Sequence, residues 1–201
     1  MKYVKSLLIV LLIVSMLVNI YIYSELNKVM KYQEAHNEIN TQYFYRDLYL
    51  MEVGLDTVLK EQEKSEPDIV KVGRNITEIK ASIRQANEHL TEMKGYNDPE
   101  SELAYAKITD YLFSMYFENR FQHLETAFHE QNVENLFEIA KEMEREISTV
   151  LKKLPIYDSK YMELSEEEKS NIWIDIVNQL PESETLDQFK RFISFDRISG
   201  Q

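Results

Sequence analysis

Hydrophobic positions fall first into one long unbroken block and then into a series of helical seams. The block runs from Ser6 to Ser24, carries no charge, is dominated by Leu, Ile and Val, and ends at Glu25. At about 1.5 Å of rise per residue it nearly matches a hydrocarbon core of roughly 30 Å. A cleaved secretory signal has a shorter apolar core, about 7–15 residues, followed by small residues at the cut site. Here Ser24 with Ile22 is the nearest and a poor candidate. Core helices of soluble domains seldom run so far without a charge, so the block predicts an uncleaved transmembrane anchor.

Charge sets its orientation. Lys2, Lys5 and the α-amino group lie on one side, whereas Glu25, Lys28, Lys31, Glu34 and Glu38 roughly cancel on the other. The positive-inside bias places the N-terminus in the cytoplasm and the body outside. Tyr3 at one end and Tyr21 with Tyr23 at the other suit the two membrane interfaces. No later segment reaches spanning length. The expected organisation is a single-pass protein of the cell membrane, with residues 1–24 as cytoplasmic stub and anchor and residues 25–201 as an extracytoplasmic domain.

Past the anchor, the apolar positions follow helical spacing. A first helix is expected to continue to about Lys64, irregular over Leu26, Val29, Tyr32, His36, Ile39 and Tyr43, then settling into Phe44, Leu48, Met51, Leu55 and Val58. Glu66-Pro67-Asp68 breaks it, because the residue before proline avoids helical angles. In the second, Ile69, Val72, Ile76, Ile79, Ile83, Ala86, Leu90 and Met93 step by 3, 4, 3, 4, 3, 4, 3, a heptad seam that calls for packing against a neighbour. Gly95 is placed as a stop, and Asp98-Pro99 as the next N-cap and first helical residue.

The third helix, Pro99 to about His129, is apolar on two faces. Tyr105, Ile108, Leu112 and Met115 make one seam; Phe113, Phe117, Phe121, Leu124 and Phe128 make another. Such a helix is usually central, although its aromatic rings could instead line a ligand pocket. The fourth, from near Asn132 to Leu154-Pro155, has the seam Val133, Leu136, Ala140, Met143, Ile147, Val150 and Leu154, with acidic residues at its start and lysines at its end, as the macrodipole favours. Ser165 to Glu168 reads as a capping box opening a short amphipathic helix that Pro181 ends. The tail beyond it is ambiguous between helix and strand. The fold class is therefore all-α: one N-terminal transmembrane helix continuing into an antiparallel bundle of about four long helices, plus a short C-terminal amphipathic helix.

Composition agrees and narrows the chemistry. Four Gly and four Pro in 201 residues leave few helix breakers. A formal charge of −12 repels nucleic acid and anionic lipid, so no nucleic-acid role is expected. Without cysteine there is no disulfide, thiol catalysis or Cys-ligated zinc. The Ile, Lys, Asn, Tyr and Glu bias suggests an AT-rich bacterium.

No catalytic or ligand motif is complete. His36, His89, His123 and His129 form no His-Glu-x-x-His or Glu-x-x-His pattern; Glu125 with His129 makes half a metal site at most, and an ordinary contact one helical turn apart is the simpler reading. No nucleophile elbow or phosphate loop is present. Pairs such as Glu142 with Glu146 read as solvated faces. Gly73 inside the second helix implies either a close crossing or a kink. No catalytic, cofactor-binding or metal residue is assigned, and no enzyme activity or cofactor is expected.

One candidate surface stands out: Ile172, Trp173, Ile176, Val177 and Leu180 on one face of the short helix, with Phe189 and Phe192 in the tail. Packing within the bundle competes with contact to a partner or the bilayer, where Trp is enriched. These features favour a membrane-anchored interaction module with a protein partner at the membrane or cell envelope, self-association being open. The alternative is a bundle that senses a small molecule and signals through a membrane partner, similar to chemoreceptor sensor bundles only in broad architecture, since a second membrane segment and a signalling domain are missing.

Overall fold

In the computed structural model the described residues are 2–95, 104–154, 164–180 and 186–191; side chains are also left undescribed at 2–10, 34, 93–95, 104–107 and 166. Apart from the turns between helices they are helical, with no strand among them. The elements are α1 (Lys2–Gln62), α2 (Ile69–Gly95), α3 (Ala104–Tyr111), a π-turn (Leu112–Phe117), α4 (Glu118–His129), α5 (Val133–Lys153) and α6 (Glu166–Gln179), and residues 186–191 form a last helical stretch. The chain divides into two units, Met1–Ile39 and Asn40–Gln201.

The first unit is the N-terminal part of α1. Its described large apolar side chains, Leu11 through Tyr32, are about half exposed or more on every side of the helix. Lys28 pairs with Glu25 at 2.7 Å, and the Tyr32 and His36 rings stack with centroids 6.2 Å apart. Among the described residues, no helix is long and apolar enough to cross a membrane. The side chains of Ser6 to Val10, the first five positions of the uncharged run, lie outside the described residues.

The second unit is the helical bundle. Phe44, Leu48, Met51, Leu55 and Val58 are all buried at 1% exposure or less, so the seam of the first helix faces the core as its spacing requires. Helix α2 returns antiparallel beside it: Gly54 lies against Ile79, and Glu61 pairs with Lys71 at the turn. From Val72 to Leu90 every position of the α2 heptad seam is buried, whereas Ile69 at its start is exposed.

Helix α4 runs antiparallel to α2, with Phe128 on Gly73 and Glu125 paired with Lys80 at 2.9 Å. Helix α5 then returns along α4. Asn132 caps it, its side chain accepting from Asn135 N, and Lys152 and Lys153 close its C-terminal end. The predicted capping box forms: Ser165 accepts from Glu168 N, and the Glu168 carboxylate accepts from Ser165 N. Helix α6 packs against α3 and α5. The expected Asp98-Pro99 cap and the segment after Pro155 lie outside the described residues.

The structure moves Met115 from its expected place and decides the choice open at Gly73. Met115, assigned to an inward seam, is 45% exposed, and Tyr116 takes the inward place at 1%. The cause is the π-turn, whose i→i+5 bonding takes in an additional residue and shifts the helix face. Gly73 marks a close crossing and not a kink: a Cβ there would stand 2.8 Å from Phe128 Cζ.

Candidate functional site

Six of the seven residues singled out from sequence have described side chains, and five of these are spent on packing. Trp173 is 1% exposed, and Ile176, Val177, Leu180 and Phe189 are buried with it; Ile172 is half-buried. The indole sits 6.3 Å from the Phe44 ring, and Phe189 lies 5.7 Å from Tyr116. The structure thus brings Trp173 and Phe189 into one aromatic core with Phe44, Phe113, Tyr116 and Phe117. Phe192 lies outside the described residues.

Inside that core is a charged group that its sequence context assigns to a solvated face. Glu146 of α5 is 1% exposed, and its Oε1 accepts a hydrogen bond of 2.8 Å from the Tyr116 hydroxyl. Arg120, one turn past Tyr116, reaches the same oxygen at 3.4 Å with Nη2 and donates from that nitrogen to Glu142. Burial pushes the Glu146 carboxyl above the usual carboxylate range, against the pull of Arg120 and the Tyr116 hydrogen bond, and Glu142 adds to the rise. Burial also disfavours the Arg120 charge, but Glu146 and Glu142 outweigh it and its pKa rises. Glu146 Oε2 and Arg120 Nε make no hydrogen bond among the described residues. Glu142 and Glu146 looked like a solvated pair, yet Glu146 directly precedes the seam residue Ile147 and lies three after Met143. That adjacency was the one available signal.

A second buried carboxylate joins α1 to α2. Asp47 is fully buried; Oδ1 accepts from Arg46 Nε at 3.1 Å and Nη2 at 2.9 Å, and Oδ2 stands 3.5 Å from His89 Nε2. Burial raises the Asp47 pKa, opposed by Arg46 and then His89. The Tyr43 ring covers His89 at 5.3 Å and carries the Arg46 guanidinium 4.8 Å above its centroid. This arrangement can take up a proton at the helix interface.

Glu125, half of the notional metal site with His129, instead pairs with Lys80, while the His129 ring packs on Phe128 at 5.7 Å. Among the described residues, no three His, Asp or Glu side chains converge as metal ligands.

The outward face of α1 is different in kind. Within the bundle unit, Tyr43, Tyr49, Leu50 and Val53 are 41–53% exposed, with Arg46 among them. Positions 43, 46, 50 and 53 step by 3, 4, 3, so α1 carries a second seam around from its buried one. Compared with protein-family models, curated proteins and solved structures, the chain matches none.

Proposed function

We propose that the protein is a membrane-anchored helical bundle that acts by protein–protein contact on the outer face of the cell membrane, without catalysis of its own. The observation that carries the contact reading is the outward seam of α1: large apolar side chains at helix-packing spacing, left uncovered by the bundle. Tyr and Arg, both present there, are the residue types enriched where binding energy concentrates. Seam spacing selects another helix as the occupant.

The anchor reading rests on the uncharged run from Ser6 to Ser24 and on the exposure of its described apolar side chains around the whole helix. Two lysines before the run support an inside N-terminus. Alkaline carbonate extraction and protease accessibility test both points. The reading expects the chain to stay with the membrane pellet and the body to be cut from outside; release into the wash contradicts it.

A small-molecule sensor is the second reading, favoured by the unpartnered Glu146 oxygen among aromatic rings. Native mass spectrometry of the purified chain separates the two: a retained ligand, lost in Glu146→Gln, supports sensing.

A further inference from the structure

The heptad steps through Ile108 and Leu112 lead to Met115, yet the structure buries Tyr116 in its place. The exchange is made within the π-turn Leu112–Phe117, whose sequence LFSMYF contains neither Pro nor Gly to force an irregular turn. π-Turns inside α-helices are uncommon and concentrate at functional positions. What rewards the irregular register lies across the core, where the Tyr116 hydroxyl donates to Glu146 Oε1 at 2.8 Å. A buried carboxylate without donors is costly, so this hydroxyl and Arg120 matter most when Glu146 is charged.

We propose that this helix has two registers and that the Tyr116–Glu146 hydrogen bond selects the one seen here. In the other register the turn becomes regular α-helix, and positions 115 and 116 rotate together about the axis, carrying Met115 toward the core and the Tyr116 hydroxyl away from Glu146. Proton uptake by Glu146 weakens the selection, because a neutral carboxyl needs fewer donors. Among the described residues, the titratable groups facing Glu146 are Tyr116 and Arg120 across the helix pair and Glu142 on its own helix; Arg120 and Tyr116 favour its charged form, and Glu142 opposes it. Changing the register rotates α3 relative to α4. Since α3 packs on α2 and α6, a change of protonation in the core is passed to the faces those helices present.

The Met115 sulfur reports the register directly. Peroxide oxidation, read by peptide mass spectrometry, follows thioether exposure, and Met51 and Met143, both 1% exposed, serve as unfolding controls. The full chain is compared with Tyr116→Phe and Glu146→Gln, each between about pH 8 and pH 4.5, the latter being the ordinary glutamate value. Expected is a several-fold slower oxidation of Met115 on acidification of the native chain, with both variants already slowed at about pH 8 and the controls still protected. Equal Met115 reactivity in the native chain at both pH values overturns the proposal. So does oxidation of Met51 and Met143 together with Met115, which reports unfolding and not a register change.

Discussion

A Cβ on Gly54 would stand 2.8 Å from Ile79 Cγ1, so α1 and α2 meet at their observed separation because position 54 carries no side chain. The obstructing atom lies near the root of a fully buried side chain and cannot swing clear. At Gly73 the obstruction is Cζ, the far edge of the half-buried Phe128 ring, with more room to give. Alanine gains about 1 kcal/mol of helix propensity at either site, whereas overpacking costs about 1–3 kcal/mol. Gly54→Ala is therefore expected to lower the urea midpoint, and Gly73→Ala to lower it less. The opposite order contradicts the crossing geometry.

Charge placed in the α2 seam tests the bundle itself. Ile79 is wholly buried and Ile83 nearly so. Ile79→Asp or Ile83→Asp buries a carboxylate without a partner and is expected to cost several kcal/mol. Ile79→Val, which removes one methylene, is expected to cost about 0.5–1.5 kcal/mol. Thermal melting of the series should follow that order; an aspartate variant melting like the parent is incompatible with the packing.

Trp173→Ala is expected to destabilise by about 3–5 kcal/mol, the usual cost of emptying a large aromatic site. The loss should be matched by heightened hydrogen exchange in α6 and α3, the elements in contact there. A stable Trp173→Ala variant that loses only partner binding would return the indole to an interface role.

Acid stability has a defined sign at the α1–α2 turn. Glu61 accepts from Lys64 and Lys71, each at 2.7 Å, and from Asp68 N at 3.2 Å, which holds its carboxyl at about 2 against an ordinary 4.5. The folded value is depressed, so this contribution is present above about pH 4.5 and is lost as pH falls towards 2. Glu61→Gln should remove it, so the native chain should lose more urea stability than the variant across that window. Glu146 and Asp47, whose values are raised, act in the opposite sense: their contribution is full below the ordinary carboxylate range and is lost as pH rises through the folded value. Equal acid loss in the native chain and Glu61→Gln would mean that the cluster adds nothing.

The helices were legible because their apolar steps are nearly unbroken. Val72 to Leu90, Leu136 to Leu154 and Phe44 to Val58 all face the core as their spacing requires, and the Ser165 cap forms from two side chains close in sequence. What sequence did not disclose depends on partners far along the chain. Tyr116 and not Met115 is buried, and its hydroxyl bonds Glu146, thirty positions on. Glu146 itself looked like surface because acidic helices are full of such pairs, and its burial follows from how α4 lies on α5. The Trp173 stripe leaves contact open beside the favoured packing role, since an apolar face has the same spacing in either. The outward seam at Tyr43, Leu50 and Val53 shares a helix with the stronger buried seam, which masked it.

Site-specific photo-crosslinking in the native membrane tests the proposed role most directly. The chain would carry the crosslinker at Leu50, in the exposed seam, with a second version at the half-buried Glu144 of α5. The account predicts one stoichiometric foreign protein captured from position 50, absent from position 144, and lost when Val53→Glu is added while melting is unchanged. Recovery of the chain alone, of self-crosslinked chain only, or of the same products from both positions would contradict an interaction module acting through this face.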